Sequence, residues 1–373
     1  PRLCAPHAVT PTIFGEKRTA LLPPPIDEKR LRSYVERLLP VHAPSGFEGE
    51  ADTAVCDIMR AFNEAVWQDA SGNIIVHIKG RKSDAPIAVI SHKDEISMIV
   101  KRVEKDGRLR VVPVGGLHPW AIGETPVELL ADEEAVPGVL SIGAKHVSKA
   151  SPAGKLKEGA PLTWEDMWVD CKQSSSELAE LGIRAGTRVC IARHRKNLWQ
   201  VGSFLCGYNL DCRAGLAALF EVGHQLVETP PAQDVYIIAS ESEEIGGQGA
   251  AYALAHLPVD TAIAVDIAPA AEEYGTKNSG NPILIEKDGR GVYHAATNRQ
   301  LETLARAGGF DVQKAVVTSY ASDSSISRAY GHVARAALIG YPGDNTHGYE
   351  ICSRDGIVNT TRLLLAYLLN PVS

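Results

Sequence analysis

An α/β fold carrying a small inserted β-rich module is what the sequence predicts, on three observations. Short β-branched runs alternate with helical patterns through most of the chain, which argues for a mostly parallel sheet with helices on its faces. The stretch Val103–Lys196 breaks that rhythm. It is rich in Val, Gly and Pro, with short segments such as LRVVPVGG, PVELLA and RVCIARH, and helical pattern only at Glu177–Leu181. Finally, 373 residues at 45% hydrophobic and 22% charged is an ordinary globular composition, too long for one average domain.

Taken in order, residues 1–25 are irregular and end in Leu22-Pro23-Pro24-Pro25, which reads as an N-terminal arm. Asp27–Leu39 is helical, with Leu31, Tyr34, Val35 and Leu38 on one face, and Pro40 and the Pro44-Ser45-Gly46 turn stop it. A second helix covers Glu48–Phe62. Asn73–Ile78, Ile87–Ser91, Val235–Ser240 and Thr261–Asp266 read as buried strands, with helices at Gly215–Glu228 and Gly249–His256. The alternation continues through helix Glu302–Ala307, strand Ala315–Thr318, helix Ser324–Tyr330 and strand Ala336–Ile339, and ends in helix Val358–Leu369. The division is therefore an arm (1–25), an α/β domain in two pieces (26–102 and 197–373) and an insert (103–196).

Several function classes fall away. Lys and Arg number 38 against 45 Asp and Glu, a net charge of −7, so no large basic surface awaits nucleic acid. No apolar run reaches the roughly 18 residues of a membrane helix. Seven cysteines at irregular spacing, with no Cys-x-x-Cys pair, indicate neither a zinc ribbon nor a disulfide framework. Without a secretory pattern at its start, the chain is expected in the cytoplasm.

Chemistry-bearing residues recur just beyond the ends of apolar strands, where open α/β sheets place their ligands. Ile87–Ile90 runs into Ser91-His92-Lys93-Asp94-Glu95. His-x-Asp at a strand end puts both side chains on one side, so Asp94 could orient a metal-bound His92. VYIIAS runs into Glu241-Ser242-Glu243-Glu244-Ile245-Gly246-Gly247. Adjacent acids point different ways, so one can hold a metal while the other serves as general base. Acids at a helix N-terminus are the plainer alternative. Asp266 ends the TAIAVD strand, Asp211 precedes a helix, and His347 follows the last strand. Each alone reads as a cap or loop residue. Together, two histidines and three carboxylates suffice for two zinc-like ions with one carboxylate bridging.

Ordered motifs along nearly the whole chain carry a resemblance. Pro44-Ser45-Gly46-Phe47-Glu48, His92-Lys93-Asp94-Glu95-Ile96, Pro113-Val114-Gly115-Gly116, Leu181-Gly182-Ile183-Arg184-Ala185-Gly186, Leu210-Asp211-Cys212-Arg213-Ala214-Gly215, Glu243-Glu244-Ile245-Gly246 and His347-Gly348-Tyr349-Glu350 are similar to those of the TET-type metalloaminopeptidases, peptidase family M-forty-two. The resemblance implies a zinc-exopeptidase (phosphorylase/hydrolase-like) domain, three-layered about a mixed sheet, with a PDZ-like β-rich dimerisation domain inserted. It implies two divalent ions, zinc with cobalt or manganese as alternatives. His92 and Asp266 would hold one ion, Glu244 and His347 the other, and Asp211 both. Asp94 would orient His92, Glu243 would be the general base, and Asp323 would support the site. Peptides would be the substrates, and a twelve-subunit homo-oligomer the assembly, with a dimer as the fallback.

Some residues depart from the family pattern. Lys93 stands at a usually small or apolar position, Ser97 replaces a glycine, and Cys212 stands where Asp or Asn is common. Cys206 and Cys212 read as small packing residues or, alternatively, a thiolate ligand. His77, His118, His146, His224, His256 and His332 lack an acidic partner at ligand spacing, and Trp164 and Trp168 read as packing or subunit contacts. An N-acyl amino-acid deacylase, a carboxypeptidase-like amidohydrolase and a non-catalytic homologue are the alternative functions. The insert has edge strands, which must be covered, charged or paired; its segments Arg108–Val114 and Val136–Ile142 carry few charges, so pairing or packing between copies is expected.

Overall fold

The computed structural model describes residues 23–370, so the expected arm lies outside them except for its three prolines. An eleven-stranded sheet runs through the larger unit. From one edge its order is Val66–Gln68, Ile74–Ile78, Gln233–Ser240, Lys82–His92, Thr261–Pro269, Arg335–Asp344, Glu350–Ser353, Phe204–Gly207 and Trp199–Val201. Ile283–Lys287 and Gln313–Val316 attach at the Arg335–Asp344 strand. The four central strands are parallel, as the alternation predicts. The flanks are antiparallel, so the sheet is mixed rather than mostly parallel. Of the flanking strands, Val66–Gln68, Trp199–Val201 and Glu350–Ser353 are three or four residues long and lack an alternating pattern, which leaves them unread in the sequence.

Strand period two divides the core. Ile87, Val89, Ile237, Ile263 and Val265 face the helices Glu28–Leu38, Gly49–Arg60, Leu210–Glu228 and Arg354–Leu369. Ala88, Ile90, Ile238 and Ala262 pack on the opposite side with Ala250, Ala253 and Leu254 of helix Gln248–His256. Helix Leu210–Glu228 is buried nearly all round. Its approach to the sheet requires Gly215, where a Cβ would lie 2.4 Å from the Ser91 hydroxyl.

The second unit is a closed six-stranded barrel: Ser97–Val103, Leu109–Val114, Trp168–Asp170, Ala135–Ser141, Thr125–Leu130 and Arg188–Ile191. Met98, Val111, Val127, Leu129, Val169 and Val189 fill it. Closure corrects one expectation. Both strands expected to offer free edges have their two neighbours within the chain. Trp164 sits in a short 3-10 turn and Trp168 in a strand, so the two do not share a helix face. Among the described residues no helix is long and apolar enough to cross a membrane.

Candidate active site and metal centre

Sheet register assembles the site. Ser240 pairs with His92 and Ala264 with Ile90, so the C-terminal ends of three parallel strands lie side by side; His92 and Asp266 stand on two of them, and Glu243–Glu244 on the loop after the third. Asp211 arrives on the loop that starts the central helix, and His347 on the turn between Arg335–Asp344 and Glu350–Ser353. Of the five described non-glycine residues with positive φ, four lie here: Asn209 (+64°), Ser242 (+54°), Asn345 (+58°) and His347 (+62°). Such backbone persists only where its surroundings over-determine it.

Two donor clusters share Asp211. His92, Asp211, Cys212 and Asp266 each offer an atom within 4.8 Å of the others, and so do Asp211, Glu244 and His347. His92 Nε2 is 3.0 Å from Asp211 Oδ1 and 3.8 Å from Asp266 Oδ1. His347 Nε2 is 3.6 Å from Asp211 Oδ2 and 3.5 Å from Glu244 Oε2. The oxygen and nitrogen donors fit two divalent ions of the zinc kind bridged by one carboxylate. Glu243 belongs to neither cluster. Cys212 is a poor ligand: burial holds its thiol well above the ordinary cysteine range, and its sulfur lies 2.9 Å from the Ser91 hydroxyl and 3.3 Å from the Val265 carbonyl. Cys206 is buried elsewhere, on the Phe204–Gly207 strand.

Electrostatics suit these clusters to a positively charged ligand. Burial first, then neighbouring acids, push the Glu243 and Asp266 carboxyls well up, against the pull of His92. Burial likewise carries Glu244 and Asp323 to about 7. Burial alone would lower His347, but Glu244 and Asp211 raise it to about 9. These carboxylates crowd around too little positive charge, a condition divalent cations relieve. Asp323 accepts from the Ser240 hydroxyl through Oδ2, while its buried Oδ1 has no partner.

Asp94 lies behind His92, away from the cleft. Its carboxylate is 3.4 Å from His92 Nδ1 and accepts the Ser45 hydroxyl (2.6 Å) and the N–H groups of Glu243 (3.0 Å) and Glu244 (3.2 Å). One buried acid thus ties the imidazole to both glutamates. His347 is oriented from the barrel: its Nδ1 lies 3.0 Å from the Gly116 carbonyl, which leaves Nε2 for the donor cluster. A Cβ at residue 116 would meet that ring at 2.7 Å.

Several site residues carried no sequence role. Glu48 accepts the Ser242 N–H at 3.1 Å and holds the Lys93 amine at 2.5 Å, with Asp52 2.7 Å from the same amine. Lys93 is therefore engaged away from the cleft. His118 stacks on Trp120 at the cleft, and His77 meets Asp234 at 3.1 Å across the sheet. Beneath the site, Lys196 lies 2.6 and 2.8 Å from the Glu95 carboxylate and 2.9 Å from His42 Nδ1, while His42 Nε2 reaches Glu128 at 2.7 Å. His42, Glu95 and Cys190 would otherwise group as metal donors, but the ammonium already fills that space. A cleft of about 550 Å³ opens above the clusters, walled by Glu243, Asp266, His347, Trp120, Tyr320 and Arg290. That volume suits a short peptide end.

Comparison with known proteins agrees with this geometry. The profile of the M42 glutamyl aminopeptidase family matches residues 72–363. Lysyl aminopeptidase of Pyrococcus furiosus is 34% identical over 228 residues, covering 60% of this chain and 62% of that protein, so the match spans less than two thirds of the relative. An aminopeptidase from the archaeon Desulfurococcus kamchatkensis shares the fold with a TM-score of 0.83 at 23% identity, over 92% of this chain and 96% of that one. The Pyrococcus horikoshii TET1 peptidase, which can assemble into a tetrahedron or a large octahedral shell, has a TM-score of 0.78 at 20% identity, over 91% and 99%. The resemblance carried by the motifs is thereby established, and the chain belongs to the M42 glutamyl aminopeptidase family.

Proposed function

We propose that the protein is a dinuclear metal-dependent aminopeptidase that removes N-terminal amino acids from peptides. The observation that carries this reading is the pair of donor clusters sharing Asp211, with Glu243 beside them and outside both. His92 and Asp266 would hold one ion, Glu244 and His347 the other. The chemistry that two divalent ions (zinc, with cobalt or manganese as alternatives) supply when bound is Lewis acidity, which polarises the scissile carbonyl and brings the pKa of a water from about 15.7 towards 7. Glu243 would take the proton of the attacking water and deliver it to the leaving amine. Asp94 would keep His92 and the Glu243 backbone in register, and acidic residues at the cleft would receive the free α-amine. Asp323 would support the site from below. Aminoacyl-anilides with free amines should be cleaved and their N-acetyl counterparts spared; the reverse preference points to a deacylase. The β-barrel insert counts against the lidded amidohydrolases, and the complete donor set against a non-catalytic homologue.

The shared carboxylate gives a direct prediction. Asp211→Ala should lower the retention of both ions, whereas His347→Ala should chiefly weaken one. Metal titration by calorimetry checks it, and equal loss of a single ion in both variants would remove the bridging role.

The insert would act as the dimerisation domain of a homo-oligomer, a dodecamer by likeness to the solved dodecamer of PhTET1-12s, with a dimer as the fallback. Closure of the barrel means that contacts would come from its outer face, where Val139 is 47% exposed, and not from strand edges. Light scattering should give a mass near twelve times the 40.0 kDa chain. Deleting residues 1–25 tests whether the arm reinforces or limits that size. An active monomer at micromolar concentration would overturn the assembly.

A further inference from the structure

The motif His347-Gly348-Tyr349-Glu350 ends in an acid that no catalytic role absorbs. Glu350 is 2% exposed and opens a strand whose register places it opposite Gly207, on the segment that leads to Asp211. The same strand pairs back onto Gly343 and Asp344, so the turn carrying His347 begins and ends on the sheet. The two carboxylate oxygens of Glu350 divide between two loops. Oε2 accepts the backbone N–H of Asp211 at 2.9 Å, and Oε1 accepts the backbone N–H of His347 at 3.2 Å.

We infer that Glu350 is a positioning residue that sets the spacing between Asp211 and His347, and so the affinity for the ion those two share with Glu244. The inference rests on the two-ion reading above. Glu350 does not touch the donor atoms; it holds the main chain from which both side chains project. His347 has φ +62° and its neighbour-but-one Asn345 +58°, a backbone that needs outside bonds to persist. The Gly116 carbonyl orients the imidazole ring and the Asn345 side chain donates to the Tyr349 carbonyl at 3.3 Å within the turn, but Glu350 alone of these ties the His347 main chain to that of Asp211. The other ion shares only Asp211 with this device: His92 is held by Asp94, and Asp266 by its own bond to the Ile267 N–H at 2.7 Å, neither of which involves Glu350.

The requirement is specific to a carboxylate. Two N–H donors on different loops need two acceptor oxygens on one rigid group. Glutamine supplies one oxygen and one NH₂, and the NH₂ would face an N–H. Glu350→Gln, nearly unchanged in volume, should therefore lose one of the two bonds, and Glu350→Ala both. Partners that orient metal ligands are worth about 10- to 100-fold in metal affinity.

The test is zinc retention by the full chain during dialysis against graded chelator, with zinc counted per chain. The wild type should hold two ions. Glu350→Gln should need about 10- to 100-fold more free zinc to keep the ion held with His347 and Glu244, and a clearly smaller increase for the other, which shares only Asp211. Glu350→Asp, which keeps two acceptor oxygens, should recover part of the loss. Retention of both ions at wild-type strength, or equal weakening of both, would overturn the positioning role while leaving the two-ion reading intact. A wild type that never holds two ions would overturn that reading instead. Circular dichroism on each variant separates a folding effect: if Glu350→Gln and Glu350→Ala are both unfolded, Glu350 is a fold determinant and the inference fails.

Discussion

Replacement of Glu243 by glutamine is expected to lower kcat by about 10²–10⁴, the usual worth of a positioned general base, while both metal ions stay bound. Glu243 and Glu244 are adjacent, yet only Glu244 falls among the clustered donor atoms. The Glu243 side chain lines the cleft and makes no hydrogen bond among the described residues, whereas its backbone N–H is fixed by Asp94 at 3.0 Å. A carboxylate held by its main chain with its oxygens free is placed to accept a proton and then release it. Glutamine preserves the volume and cannot accept that proton, so the backbone anchor and the ions should be unaffected. Activity and metal content must be read on one preparation. Loss of metal together with activity would mean that the two glutamates have been assigned the wrong way round.

The donors themselves were legible in the sequence because of where they stand. Parallel strands buried on both faces read as continuous apolar runs, and His92, Glu244 and Asp266 lie just past their ends, so strand ends and ligands appear together. Asp94, two residues from His92, was legible by the same strand-end pattern, but the other residues that hold the donors in place were not, because their partners are remote. Glu48 reaches Ser242 across 194 residues, Lys196 reaches Glu95 across 101, and Glu350 reaches Asp211 across 139. No local spacing records such a pair. A strand such as Trp199–Val201, three residues long and fully exposed, carries no burial pattern of its own and exists through its neighbour Phe204–Gly207. Closure of the barrel is equally hidden. It depends on Arg188–Ile191 returning to pair with both Ser97–Val103 and Thr125–Leu130.

Lys196→Met is expected to cost about 3–5 kcal/mol of stability, the usual cost of stranding one partner of a buried ion pair. The Lys196 and Glu95 side chains are 0% and 1% exposed, and the ammonium also donates to His42 Nδ1 at 2.9 Å. That bond fixes the neutral tautomer of His42 whose Nε2–H serves Glu128. Methionine fills the volume but leaves Glu95 buried and uncompensated. The pH dependence follows from the sign of the Glu95 shift. Burial raises this carboxyl, but the Lys196 ammonium, with Arg213, outweighs burial and holds it well below the usual glutamate range. In the wild type, that stabilisation is fully present above the ordinary glutamate pKa and is lost only in strong acid. In Lys196→Met burial is no longer outweighed by the ammonium, the Glu95 carboxyl shifts upward, and its protonation on folding relieves the penalty as pH falls. The difference between the two proteins in denaturant unfolding should therefore be largest at pH 7–8 and shrink by about pH 4. A difference under about 1 kcal/mol at pH 7–8, or one that grows in acid, would show that the ammonium is not what holds Glu95. The consequence reaches the cleft. Glu95 follows Asp94 directly, accepts the Ala43 N–H at 2.8 Å and binds the Asn209 side chain, two residues before Asp211. A stranded Glu95 would release the loops that carry Asp94 and Asp211 together, so the surviving folded fraction should also bind its ions less tightly than wild type.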